Sequence, residues 1–458
     1  MALPLCQACA NVQKNLQENS YIIVDKHYQC CLCFGILSDP DLINLVTQKA
    51  EESFNASGYD GNTFVLALNI PTTMQFRDSL LESTFPESYS SREMSPKNLF
   101  SNVLLKSLEQ KVGMRGSLNS DLIMTVSLAN DEFIKSDVDF FLCHCPNTFL
   151  NNGRKRRPEM SEVHQLYTKT KIQEIINRTD VEVLKKYQMS SPTTSVTVEV
   201  SFQREGVFIA GRYCKYSRSL PQSPWTADEE IDIVHGNSVS EKIGNILQKK
   251  FQATGFRFIA SGREDIDVRM LGNGRPFAVN LINAKKTGSL KGLTKQTTLT
   301  LLNEVINKDS DISVGPLTVV SNNQAQVLNV GQEEKRKMYS CVCFSCKVIT
   351  DEMLKRLEGN IPVKIVQKTV VRVLKRRALH DREREIYSLR ALRLDDYHFQ
   401  LKLETQAGTY IKEFVHSDFG RTSPSVGELM GLDADDIDIL QLDVERVDLE
   451  WPPHKFIP

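Results

Sequence analysis

The sequence predicts an α+β protein of two or three domains, and three observations carry this. A chain of 458 residues exceeds what one core accommodates. Residues 41–230 alternate helix-period and strand-period segments. Beyond residue 238 strands and helices alternate with several hairpin-like neighbours, which suits a mixed, largely antiparallel sheet. An apolar share of 41% and a charged share of 25% are those of a soluble globular chain. No apolar stretch approaches the length of a bilayer span. Met1–Leu16 lacks the basic start and long apolar run of a secretory signal. The expected environment is intracellular and reducing, nucleus or cytoplasm, where cysteines seldom form disulfides.

Residues 1–40 hold five of the eleven cysteines. Cys6 and Cys9 form one C-x-x-C pair, Cys30 and Cys33 another, with 20 residues between them. Each pair offers two thiolates on one turn, and two pairs complete a tetrahedron. A structural zinc site with no open catalytic position is expected. Cys31 is set aside, because pairing it with Cys33 gives too tight a bite. Ordinary buried cysteines are the bland alternative. A redox pair is disfavoured, since two such motifs so close together favour a metal.

In residues 41–230, Asp41–Phe54 and Asn98–Gly113 read as helices, and Thr63–Ile70 and Leu122–Leu128 as strands. Ser195–Phe202 and Gly206–Tyr213 read as a hairpin turning around Gln203–Gly206. Cys143 and Cys145 flank His144 without a second ligand pair nearby and read as strand-end residues. The basic run Arg154–Arg157, between Gly153 and Pro158, reads as a loop that touches RNA, serves as a nuclear address, or is simply solvated. Ser223–Asn237 combines proline, acids and glycine and is the best linker. In residues 238–458, Ser238–Phe251 reads as a helix. Strands are expected at Phe256–Ala260, Phe277–Ala284, Lys337–Cys346, Tyr397–Thr405 and Asp436–Leu449.

The run Ser261–Phe277 packs three glycines, three arginines and three acids into 17 residues. Gly272, Asn273 and Gly274 tolerate left-handed backbone, and Pro276 pushes its predecessor to an extended shape. The run therefore reads as a loop that delivers charged groups onto a sheet. Asp265 is the acid best placed for chemistry. Arg263, two residues before it, can hold a carboxylate ionised and contact a phosphate. A plain salt-bridge network is the alternative reading. On a strand-like backbone Asp267 shares the face of Asp265, while Glu264 points the other way.

Arg263-x-Asp265 followed by Val268 resembles the catalytic motif of pseudouridine synthases. With Gly272–Phe277 after it, the run resembles one branch, the archaeal and eukaryotic tRNA pseudouridine synthase ten family. Arg336–Ser340, Thr405–Met430, Gly211–Trp225 and Trp451–Pro453 are similar to further segments of that family. The resemblance runs from about residue 200 to the C-terminus; before that it rests mainly on the paired cysteines. It implies a pseudouridine synthase fold for residues 238–458. It also implies a THUMP-like α/β RNA-binding accessory domain in residues 41–230, beside the zinc element of residues 1–40. The implied activity is isomerisation of uridine to pseudouridine in the tRNA T-loop, at uridine fifty-four, fifty-five or both.

By the same resemblance Asp265 is the obligatory aspartate. Tyr339 stacks on the target base and accepts a proton in the final step. Lys412, in Gly408–Lys412, pairs with Asp265 and keeps it charged. Ile411 packs against the base, Arg376 and Arg377 contact phosphates, and Arg263 fills the space left by the flipped base or holds its backbone. Tyr339 as an edge-of-core residue and Lys412 as a surface residue are the plainer alternatives. The isomerisation oxidises nothing and adds no group, so structural zinc is the only cofactor expected. The expected partner is tRNA, with other structured RNA beside it and no membrane, and the expected state is a monomer.

A net charge of −1 conceals a sharp partition. Residues 236–300 carry 11 Lys or Arg against 4 Asp or Glu, residues 361–393 carry 10 against 3, and residues 432–450 carry 1 against 8. Localised positive charge of this kind marks a polyanion-binding face. A non-catalytic RNA-binding factor, such as a tRNA chaperone or a helper of microRNA maturation, shares these features, but it has no need for Asp265, Tyr339 and Lys412 together. A methyltransferase or thiolation enzyme would carry a Gly-rich cofactor loop or an ATP motif, and neither is present.

Overall fold

The computed structural model describes residues 2–12, 20–86, 94–150, 165–224, 237–330, 336–375 and 378–453. The chain divides into two compact units, Met1–Arg204 and Glu205–Pro458.

The first unit is built on a four-stranded sheet in the order Arg115–Gly116, Thr63–Asn69, Leu122–Ala129, Thr197–Arg204. The first three run parallel and the last antiparallel. Helix Pro40–Ser57 starts where Asp39 accepts the Asp41 amide and Pro40 presets the first turn; it stops at left-handed Gly58. Helix Pro96–Val112 begins at Ser95 and ends at Gly113 in the same manner. Leu42, Val46, Phe64, Leu104 and Leu122 make the core, and Leu5, Cys6, Cys9, Cys30 and Cys33 belong to the same cluster. Residues 1–40 are therefore not a separate domain, because too few apolar residues lie there to close a core alone. Cys143 and Cys145 are not at a strand end either: helix Ile134–His144 holds the first, and the second caps it.

The expected hairpin is absent. Thr197–Arg204 closes the sheet of the first unit, whereas Val207–Lys215 lies inside an eleven-stranded sheet of the second. The reason lies in burial: Val207–Lys215 is covered along nearly its whole length and needs neighbours on both sides. The boundary thus falls at Arg204/Glu205 rather than near residues 230–238. Most of the expected linker, residues 225–236, and the basic run Arg154–Arg157 lie outside the described residues.

In the second unit the sheet runs Ile312–Val314, Val207–Lys215, Arg269–Ile282, Ile437–Val447, Lys337–Ser345, His398–Thr405, Arg382–Arg393, Val363–Gln367, Thr422–Ser423, with Thr318–Val320 also pairing Val207–Lys215 and Gly255–Ala260 also pairing Arg269–Ile282. It is mixed and largely antiparallel; Arg269–Ile282 and Ile437–Val447 pair in parallel. Helix Val239–Phe251, capped by Ser238, adds Ile243, Leu247 and Phe251 to the core beneath Phe277 and Val279.

The run Ser261–Phe277 is a loop only as far as Val268. From Arg269 it is strand, through the glycines. Gly272 and Gly274 take positive φ, and a Cβ on them would stand 1.9 Å from the Glu445 carbonyl oxygen and 2.7 Å from that of Tyr213. Close backbone approach, not a free turn, demands glycine there.

Candidate active site

Loop Ser261–Val268 links strand Gly255–Ala260 to strand Arg269–Ile282 and is fastened from below. Glu264 turns inward, where Arg275 Nε donates to its carboxylate at 2.6 Å. The Tyr213 hydroxyl donates to both Glu264 oxygens at 2.8 and 2.9 Å, and Gln222 supports Tyr213 at 2.7 Å. Lys215 is fully buried. Its Nζ donates to the backbone carbonyls of Leu220, Asp265 and Ile266 at 2.8, 3.0 and 2.9 Å. Burial pushes the Lys215 ammonium down to about 8. Arg269 grips Asp443 with two bonds, and Arg218 joins Asp443 to the Asp267 carbonyl.

This anchoring leaves the Asp265 carboxylate outward, 39% exposed and facing two cations. Arg372 Nη1 lies 3.1 Å away and Lys412 Nζ 3.5 Å. Lys412 makes its shorter contacts to Asp267, at 2.8 and 2.7 Å, so it bridges the two acids. It sits in helix Ile411–His416, and its neighbour Glu413 is buried and accepts from Arg372 Nε at 2.7 Å. Arg372 also lies over the Tyr410 ring, 5.6 Å from its centroid. One arginine thus ties the short turn Val371–Val373, the helix and the Asp265 loop together.

Tyr339 lies on strand Lys337–Ser345, between Leu403 and Val444. It is buried, and burial pushes its hydroxyl up to about 12, against the pull of Arg275. Lys337, near the same arginine, is pushed down to about 8 by burial and by Arg275. Ile411 is buried in the main core at the start of its helix. Arg263 is exposed and makes no ion pair with a described residue. Arg376 and Arg377 lie outside the described residues.

Sequence reasoning missed three groups here: Arg372, the Glu264–Arg275 pair and Lys215. Arg372 carried a signal, since it lies in the basic block 361–393. Lys215 and Arg275 carried none, because a cation that turns inward reads like any other.

In the first unit the sulfurs of Cys6, Cys9, Cys30 and Cys33 all lie within 4.8 Å of one another, and all four residues are buried. A tetrahedral metal with bonds of about 2.3 Å to sulfur sets its sulfurs ~3.8 Å apart. The Cys6–Cys33 separation is 3.6 Å. Burying four thiols so close together has no benefit without a cation, so the residues fit a metal such as zinc. Cys31 is not in the group; its carbonyl accepts from Arg77 at 2.7 Å.

Residues 208–448 match the family model described as Pus10, C-terminal, and residues 30–204 match eukaryotic Pus10, N-terminal. The two matches meet where the two compact units divide. The tRNA pseudouridine synthase Pus10 of Xenopus laevis is 37% identical over 436 residues, covering 93% of this chain and 81% of that protein. The human protein of the same name is 35% identical over 439 residues, covering 93% and 79%. That of the archaeon Pyrococcus furiosus is 34% identical over 252 residues, covering 54% and 60%. The chain belongs to the Pus10 family.

Proposed function

We propose that this chain is a tRNA pseudouridine synthase acting on a T-loop uridine, at position fifty-four, fifty-five or both. The carrying observation is Asp265: an outward carboxylate on a loop fixed from beneath, next to Arg372 and Lys412, in a chain of the Pus10 family. The reaction breaks the bond from ribose to base nitrogen, turns the base and rejoins it through carbon. Asp265 meets the reacting nucleoside, while Arg372 and Lys412 orient the carboxylate and offset its charge. Target bases reach such a carboxylate only when out of their stack. Tyr339 packs against the base. Burial pushes its hydroxyl up to about 12, so it meets the base with its proton on. Ile411 supports the pocket from the core.

The four cysteines hold a structural zinc ion in the first unit, which serves as a THUMP-like accessory for RNA. The basic block 361–393, with Arg376 and Arg377, takes phosphates and gives binding its salt dependence. Asp265→Asn tests the assignment. Tritium release from uridine-labelled tRNA should vanish while tRNA binding stays within about tenfold. Substantial turnover by the Asn variant sinks the assignment of Asp265.

A further inference from the structure

One exposed aromatic has no place in the site described so far. Phe419 is 86% exposed, although Ser417 and Asp418 before it are buried. Lone exposed apolar residues are ordinary; the backbone that presents this one is not. Ser417, Asp418 and Phe419 take φ of 67°, 54° and 58°, and Gly420 follows at 76°. Three consecutive non-glycine residues in the left-handed region are strained, and such strain persists only where the surroundings enforce it.

The surroundings do enforce it. Ser417 Oγ accepts the Gly420 amide at 3.3 Å, and the Asp418 amide donates to His416 Nδ1 at 3.2 Å. Asp418 Oδ2 accepts the Val371 amide at 3.0 Å, and Arg421 donates twice to the Thr369 carbonyl, at 2.9 and 2.6 Å. The turn is thus bolted to the segment that carries Arg372, whose guanidinium reaches Asp265. Phe419 therefore stands at the rim of the site. Lys368 and Lys375 are exposed on that same segment, and Leu379 is exposed beside them. Exposed cations on one segment and an outward ring on the turn tied to it offer what a single-stranded nucleic acid needs: a platform for a base and charges for its phosphates.

We propose that Phe419 is a stacking platform for an unstacked base of the RNA substrate, in a nucleotide flanking the target uridine. Lys368 and Lys375 take the adjoining phosphates. The target itself lies at Asp265, which the same segment reaches through Arg372. This inference rests on the reading of the chain as a tRNA-modifying synthase, and it adds a residue that holds substrate beside the reacting nucleotide.

The test uses the full chain and a T-arm RNA hairpin with 2-aminopurine on either side of the modified uridine. Phe419→Ala, Phe419→Leu and Phe419→Trp are compared; the side chain is nearly all in solvent, so folding is not at stake. Expected are a rise in Kd and KM of about tenfold for Ala and Leu, and loss of 2-aminopurine quenching. The single-turnover rate at saturating RNA should be unchanged, and Trp should match wild type. Leu binding as well as Phe overturns stacking in favour of plain apolar contact. Unchanged Kd and quenching in the Ala variant overturn any RNA contact and leave the residue to a protein partner. If the wild type forms no pseudouridine while Phe419→Ala still loses RNA affinity, the synthase reading fails and the stacking contact stands.

Discussion

Glu264 and Asp265 are neighbours in sequence and should behave as opposites when replaced. Glu264 and Arg275 form an ion pair at 2.6 Å with side chains 0% and 2% exposed. Glu264→Ala leaves the Arg275 guanidinium in the core without a counter-charge. Breaking a buried pair from one side costs roughly 3–5 kcal/mol, and a unit of this size loses ~2–4 °C per kcal/mol, so Tm should fall by about 6–20 °C. Glu264→Gln keeps an acceptor for Tyr213 and should lie between this and wild type. Asp265→Ala removes a half-exposed carboxylate and should change stability by no more than about 1 kcal/mol, while abolishing turnover. Both tryptophans, Trp225 and Trp451, follow the unit boundary, and Trp451 is buried against the Phe277 carbonyl. Tryptophan fluorescence during urea or thermal unfolding therefore reports on this unit. If Glu264→Ala melts within about 2 °C of wild type, the pair is not the anchor described. If Asp265→Ala destabilises as much as Glu264→Ala, the division between a structural and a chemical acid is wrong.

Three further outcomes are expected. Metal analysis should find one equivalent of zinc in wild type and in Cys31→Ser, but none in Cys30→Ser; retention by Cys30→Ser would refute the ligand set. Arg372→Met should lower the single-turnover rate more than Lys412→Met, because Arg372 is the closer cation and Glu413 also loses its partner; neither should change tRNA Kd by more than a few-fold, and the reverse rate order would make Lys412 the main partner. The folded-state pKa of Lys215 lies near 8, below the usual 10.5, so between those values the unfolded chain binds more protons and stability rises with pH. Wild type should therefore gain stability relative to Lys215→Met from about pH 8 to 10.5, and urea midpoints that stay parallel across that window would show that Lys215 is not held as described.

Periodicity and turn chemistry made the long elements legible. Helices Pro40–Ser57, Pro96–Val112 and Val239–Phe251 carry caps that the sequence spells out, and strands such as Lys337–Ser345 carry a plain apolar run. Partner choice was not legible. Val207–Lys215 follows Thr197–Arg204 at hairpin spacing, yet it pairs with Arg269–Ile282, because burial on both sides outweighs proximity. The glycines around Asn273 looked like a loop because glycine marks both turns and close packing. In the site, Asp265 and Lys412 were found through motif resemblance and lie together. Arg372 approaches Asp265 from more than a hundred residues away, and no local pattern announces that meeting.

Asp443 has a consequence for how the protein is made. It fixes Arg269 and Arg218, which flank the Asp265 loop, and it lies 174 residues after Arg269. A ribosome adding about 5–20 residues per second needs roughly 9–35 s to cover that distance. Throughout that interval the loop exists as covalent chain without its clamp. Nascent or prematurely terminated chains that stop before Asp443 hold the loop only through Glu264, Arg275, Tyr213 and Lys215. Completion of strand Ile437–Val447 supplies the last tie to the loop.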